Sequence, residues 1–194
     1  MGVGLEAGDH LDAALAAAKT GDGDGLVTLY RWVHPDLVRY LTSRAGGDGE
    51  DLAADVWMEV ARVLPRFEGG PHDLRRFIFS TAHRRSVDRF RRLGRRRTDP
   101  TELGLLVQVC GPDETERSVM AGLEGDDAAR LITRLLPPNQ AEVILLRVVA
   151  GLSVPEVAEA IGRRPGAVSV LQCRALHTLQ KKLKDPERLR RFLD

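Results

Sequence analysis

Residues 136–183 read LPPNQAEVILLRVVAGLSVPEVAEAIGRRPGAVSVLQCRALHTLQKKL, and this stretch decides the fold because it has the grammar of a helix pair followed by a helix-turn-helix. Pro137 and Pro138 open a helix over 139–150 with Val143, Ile144, Leu146 and Val149 as core residues, and Gly151 closes it. Ser153 can cap a short helix, Val154–Ile161, that Gly162 ends. Pro165 restarts a longer helix where its missing N–H is not needed. In that last helix Val168, Leu171, Ala175 and Leu179 recur at spacings of three and four, so one face is buried and the other can lie in a groove. The free face begins with Arg163 and Arg164 and carries Ser169, Val170, Cys173, Arg174 and His177. Short side chains at the leading end suit close approach to base edges, so the stretch points to duplex DNA.

Working outward, the formal net charge of +1 conceals strong segregation. Over residues 73–97 ten arginines stand against only Asp73 and Asp88, whereas over 98–129 eight acids stand against Arg117 alone. A basic block, an acidic stretch and a second basic helix suggest one chain touching several charged surfaces. The expected class is therefore all-α, with two small helical domains joined by a flexible acidic linker, the C-terminal one a helix-turn-helix. The boundaries read as 1–97, a linker over 98–115, and 116–194.

Other classes are disfavoured by what the chain carries. Cys110 and Cys173 lie in unlike contexts and imply neither a disulfide framework nor a zinc site, and the histidines show no ligand spacing, so no metal or cofactor is expected. Residues 1–10 are acidic rather than basic, and no stretch approaches the roughly 20 apolar residues a bilayer needs. Neither a signal peptide nor membrane insertion is expected, nor a small-molecule substrate, and the cytoplasm is the default location.

The N-terminal half supplies the second surface. Residues 1–9 read as frayed and 10–19 as a short docking helix through Leu11, Leu15 and Ala18. Residues 21–25 turn into a helix over 26–44 with Leu26, Leu29, Tyr30, Val33, Leu37, Tyr40 and Leu41 on one face, which Pro35 should kink or divide. After a loop at 45–49, a helix over 50–64 buries Leu52, Val56, Val60 and Val63 with Trp57 at the edge. Its opposite side carries Asp51, Ala54, Asp55, Met58 and Arg62, on spacing alone no more than a solvated face, and the early acids suit the helix dipole.

A loop at 65–72 leads to Asp73, read as the cap of a helix over 74–93 packed through Phe77, Ile78, Thr81, Ala82, Val87 and Phe90. Arg75, Arg76, His83, Arg84, Arg85, Arg89, Arg91 and Arg92 crowd the rest. With few acids at i±4 to neutralise them, these arginines call for an outside anion, and phosphate is the obvious one. Phe67 and Phe79 are either core residues or platforms for an unpaired base. Residues 103–110, LGLLVQVC, are apolar but have no partner strand, a helix is expected over 116–136, and 185–193 look like one more short basic helix.

Three pieces of this chain, in this order, resemble the extracytoplasmic-function group of bacterial sigma-70 family factors, and the resemblance spans residues 11–183. Glu50-Asp51-Leu52-Ala53-Ala54-Asp55-Val56-Trp57 is similar to that family's E-D-L-x-Q-[DE]-V-[FW]. Residues 77–92, with Asp88, Arg91 and Arg92, look like its W-L-x-x-I-A-R-N-x-x-x-D-x-x-R-R. Leu136-Pro137-Pro138 onward resembles its reader of the minus-thirty-five element. Here Ala54 stands for the usual Gln, Arg84 for the usual Asn and Gln172 for a usual core leucine.

The resemblance implies a promoter-specificity subunit without a catalytic act. Asp51, Ala54, Asp55, Met58 and Arg62 would face the beta-prime clamp helices of core RNA polymerase, with the beta flap a second contact. Minus-ten DNA would meet Phe67, Arg75, Arg76, Phe79, Ser80, His83, Arg84, Arg89, Arg91 and Arg92, the loop at 65–72 trapping an unstacked base. The minus-thirty-five duplex would meet Arg163, Arg164, Ser169, Val170, Cys173, Arg174 and His177. The acidic linker would occupy a basic nucleic-acid path of the polymerase, and an anti-sigma factor is a further expected partner. The competing reading is a stand-alone helix-turn-helix regulator binding duplex operator DNA as a dimer. A nuclease using Asp51, Asp55 and Glu59 is a distant third, because no second acidic cluster is present for metals.

Overall fold

The computed structural model describes residues 3–93 and 126–183, and every element among them is helical. The chain divides into two units, Met1–Ser86 and Val87–Asp194. The expected linker at 98–115, the apolar run at 103–110, Cys110, the first part of the helix expected over 116–136 and the basic tail at 185–193 all lie outside the described residues.

In the first unit α1, Val3–Lys19, starts earlier than its composition suggests. It lies against α2, Gly23–Ala45, through Ala14, Leu15 and Ala18, all buried. The Asp22 side chain caps α2 by accepting from the Asp24 N–H at 3.0 Å. Pro35 does not divide this helix. Leu29 and Val33 before it and Leu37, Tyr40 and Leu41 after it are fully buried, so packing on both sides of the missing hydrogen bond keeps the two halves in one helix.

A 3₁₀ turn, Gly46–Asp48, replaces the expected loop and leads into α3, Gly49–Val63. α3 buries Leu52, Ala53, Val56 and Val60, whereas Val63 is only half-buried. A second 3₁₀ turn, Leu64–Arg66, precedes α4, Pro71–Leu93. Asp73 is not the residue before α4 but sits in its first turn, and its carboxylate reaches back to accept from the Gly70 N–H at 3.0 Å. The chemistry expected of Asp73 is present three residues further into the helix, where an acid still satisfies an orphan donor. Leu74, Ile78, Phe79, Thr81 and Ala82 are buried on α4, while Phe90, expected to pack, is 44% exposed.

The second unit contains α5, Asp126–Leu135, α6, Pro138–Val148, α7, Val154–Ile161, and α8, Pro165–Leu183. α6 is its hub: residues 141–146 are buried in succession, so neighbours cover the helix on more than one face. α5 contributes Ala129, Ile132 and Leu135, α7 contributes Val157 and Ala158, and α8 contributes Val168, Ala175, Leu176 and Leu179.

Side chains close the helix ends. Arg147 Nη1 donates to the Leu152 carbonyl at 2.6 Å, tying α6 to the entry of α7, and Lys182 Nζ donates to the Leu135 carbonyl at 2.6 Å at the end of α5. α7 begins with a complete capping box. The Ser153 hydroxyl accepts from the Glu156 N–H while the Glu156 carboxylate accepts from the Ser153 N–H at 2.7 Å. It ends at Gly162, whose φ of 66° is left-handed and favours the residue without a Cβ.

Candidate nucleic-acid interface

α8 settles its own register. At 100° per residue, the buried Val168, Ala175, Leu176 and Leu179 place the centre of the inward arc between Val168 and Leu179. Gln172 falls on that arc, is half-buried, and has its Oε1 shielded from solvent. Leu171, expected in the core, sits at the edge, and Leu176 takes the interior place. The outward arc carries Val170, Cys173, Arg174 and His177, with Arg174 and His177 exposed and the other two half-buried. Ser169 is exposed on the flank, its hydroxyl donating to the Pro165 carbonyl at 3.2 Å. Arg163 and Arg164, both exposed, stand in the turn before α8. Gly162 turns the chain so that they precede the N-terminus of the helix, where the dipole and free N–H groups also favour an anion.

α4 is less uniformly open to phosphate than its arginine count suggests. Arg75 points inward, its guanidinium lying 5.4 Å from the Trp32 ring centroid and 5.2 Å from that of Phe79 while pairing with Asp36 at 2.7 Å. Phe79 is fully buried and meets Tyr40 edge-on at 5.7 Å, so it is a core residue and offers no platform for a base. Glu59 of α3 accepts from Arg84 at 3.3 Å and from Arg85 at 2.7 Å, and Asp73 pairs with Arg76 at 3.3 Å. The neutralising acids that the local sequence lacks are thus supplied largely by α2 and α3. Ser80 and Arg89 are half-buried and Arg91 and Arg92 exposed.

His83 is not a cation at neutral pH. Burial, aided by the Arg44 guanidinium, lowers its pKa from 6.5 to about 4. On the same side of α4 the Tyr40 hydroxyl is pushed up to about 12 by burial, against the opposing influence of Arg44 and of its hydrogen bond with Ser86. Arg44 Nε donates to the Ser86 hydroxyl at 3.3 Å, so a polar network ties the end of α2 to α4.

The loop between the second 3₁₀ turn and α4 is pinned. Phe67 packs on Phe77 with centroids 6.1 Å apart and is half-buried. At Gly69, φ is 120°, and a Cβ there would come within 2.9 Å of the Asp73 Cβ, so the loop conformation is specific to glycine.

α3 turns its other side outward. Asp51, Ala54, Met58 and Arg62 are exposed and Asp55 half-buried, with Met58 58% exposed. The apolar patch extends onto α2 in a way the sequence pattern does not reveal. Tyr30, expected in the buried stripe, is 40% exposed and Val27 45% exposed. Tyr30 stacks on His34 at 4.2 Å and lies 4.9 Å from Trp57, whose indole N–H is enclosed without an acceptor. Only the packing of α3 on α2 shows that these residues adjoin Met58's helix. The described residues contain no group of three metal-ligating side chains and no helix long and apolar enough to cross a membrane.

Comparison with known proteins places both units. A family model of Sigma-70 region 2 matches residues 29–96, and one of Sigma-70, region 4 matches residues 127–179. The chain is 32% identical over 184 residues to the ECF RNA polymerase sigma factor SigD of Mycobacterium tuberculosis, covering 91% of this chain and 85% of that protein. It is also 32% identical over 179 residues to the ECF RNA polymerase sigma factor ShbA of Streptomyces griseus, covering 88% and 93%. Among solved structures it resembles CnrH in complex with the cytosolic domain of CnrY, at 22% identity and a TM-score of 0.59, over 90% of this chain and 97% of that one.

Proposed function

Because this chain belongs to the extracytoplasmic-function sigma factors of the sigma-70 family, proteins that direct RNA polymerase to promoters, we propose how its surfaces divide that work. The outward side of α3, with Asp51, Ala54, Asp55, Met58 and Arg62, meets the beta-prime clamp helices, and Val27, Tyr30 and Trp57 extend that contact onto α2. The observation that carries this is the exposed apolar patch at Met58 and Tyr30 beside an enclosed indole N–H without an acceptor. The beta flap contacts the second unit.

The minus-ten surface consists of Phe67 and the 65–72 loop together with Arg76, Ser80, His83, Arg84, Arg89, Arg91 and Arg92. Arg75 and Phe79 act beneath it as packing. His83 serves there as a neutral hydrogen-bonding group. The minus-thirty-five surface is Arg163, Arg164, Ser169, Val170, Cys173, Arg174 and His177 at the start and outward arc of α8.

The domain boundaries that go with this division are 1–97 and 116–194, with the acidic residues of 98–115 occupying a basic path in the polymerase. The protein performs no chemistry of its own, works in the cytoplasm at the nucleoid, and has an anti-sigma partner that competes for the α2–α3 patch. In support of a competing partner, CnrH of like fold is itself found bound to a cytosolic domain of another protein.

Run-off transcription with core polymerase tests the reading. Adding the protein should start transcripts at a defined subset of a genomic promoter pool, and the protein should co-purify with core enzyme. Initiation unchanged on every promoter, with operator-sized binding as a dimer in the absence of polymerase, would replace it with the stand-alone regulator.

A further inference from the structure

α1 lies outside the matched region 2, which begins at residue 29, yet it touches the loop read above as the minus-ten pocket. Lys19, the last residue of α1, donates from Nζ to the Gly69 carbonyl at 3.4 Å and holds its ammonium 5.6 Å from the Phe67 ring centroid. One side chain therefore grips both the aromatic residue of the loop and a carbonyl of the loop backbone.

The opposite side of the loop is held from α4, where Asp73 accepts from the Gly70 N–H at 3.0 Å and crowds the left-handed Gly69. Asp12, seven residues before Lys19 and so on the same face of α1, has its carboxylate beside Gly70. Leu15 between them is buried, which fixes that face toward the body of the unit. The loop is thus clamped between two helices, one matched by the family model and one not.

We propose that Lys19 is a positioning residue for minus-ten recognition: it presets the Phe67–Gly69 loop, and through it the fit of the unstacked base, without itself contacting DNA. This rests on the reading of that loop as the base pocket. The physical case is that ordering a loop costs conformational entropy at every residue, and a pocket formed before DNA arrives spares binding that cost. A cation on an aromatic face at a partly exposed site is a contribution of the size that shifts base discrimination by roughly two- to fivefold.

The test uses holoenzyme reconstituted from the full chain and core polymerase, with a promoter panel carrying each of the four bases at each minus-ten position of the non-template strand. Open-complex formation is read by permanganate reactivity. Lys19→Met should narrow the spread between best and worst base at one position by roughly two- to fivefold, and Lys19→Arg, which keeps the cation, should restore it. In a Phe67→Ala background Lys19→Met should have a smaller effect on discrimination than in the wild type, because only its hold on the Gly69 carbonyl is left to lose.

A loss that is uniform over bases, makes the salt dependence shallower and adds to that of Phe67→Ala would make Lys19 a phosphate contact and overturn the proposal. So would wild-type discrimination in Lys19→Met when Phe67→Ala alone does alter it. If Phe67→Ala itself leaves discrimination unchanged, the reading of the loop as the pocket fails first. Thermal unfolding of each variant, followed by Trp32 and Trp57 fluorescence, separates these outcomes from misfolding. If Lys19→Met unfolds, Lys19→Arg and Lys19→Gln carry the comparison, and equal discrimination in those two overturns the role of the cation.

Discussion

His83 shows how one residue's surroundings reverse its apparent role. In the sequence it stands among arginines and adds to a basic face, but burial and the neighbouring Arg44 lower its pKa to about 4, so it is held neutral. The unfolded chain binds a proton at this residue near pH 6.5 and the folded one near 4, so between those values the unfolded state holds more protons. Stability from keeping His83 neutral is fully present above pH 6.5 and is lost as pH falls toward 4, on the order of 3 kcal/mol in all, with a little under half of it gone by pH 5.5. Both tryptophans, Trp32 and Trp57, lie in the same unit as His83 and report its unfolding. Between pH 7 and pH 5.5 the fluorescence midpoint of the wild type should fall further than that of His83→Gln. Parallel pH profiles would show that the imidazole is not buried in its neutral form.

At the scale of elements, legibility followed the range of the interactions. α7 and α8 were readable because Ser153, Gly162 and Pro165 act within a few residues of themselves, and α3 because its apolar spacing is regular. α4 was readable as a helix but not as a surface. Asp36 and Glu59, which neutralise Arg75, Arg84 and Arg85, sit 25 to 39 residues away in sequence and on other helices, where no i±4 rule can find them. Tyr30 was misplaced for a similar reason, since the stripe on α2 is wide enough that only the position of α3 decides which edge stays open.

Two substitutions on the helix-turn-helix separate folding from reading. Ser153→Ala removes half of the capping box and should cost the second unit about 1 kcal/mol, lowering the circular-dichroism transition of that unit and leaving the tryptophan transition in place. Arg174→Ala should leave both transitions alone. It should weaken holoenzyme on promoters in a manner that depends on the base at one minus-thirty-five position, with about 1 to 3 kcal/mol of discrimination lost if the contact is bidentate. A loss equal over all bases would reduce Arg174 to a phosphate contact.

For the molecule as a whole, the question is whether polymerase attachment through α3 and minus-thirty-five reading through α8 are separable, since these two proposed surfaces lie in different units of the chain. Met58 is 58% exposed and Tyr30 40% exposed, so a charge at either position is well hydrated in the free protein and should leave its fold intact. In the complex the same charge would have to be stripped of water against the clamp helices without a designed partner, which is the circumstance in which single interface substitutions are costly. Met58→Asp is therefore expected to weaken association with core polymerase about ten- to thirtyfold. Tyr30→Asp should do the same, even though Tyr30 lies on α2 and outside the Glu50–Trp57 motif. Weak binding of the free chain to minus-thirty-five duplex, carried by α8, should be unchanged in both, and fluorescence anisotropy with labelled core enzyme and labelled duplex reads the two separately. If Met58→Asp weakens the polymerase contact and Tyr30→Asp does not, the surface ends at α3 and the exposed edge of α2 faces something else; if duplex binding falls with polymerase binding, the two units do not act independently.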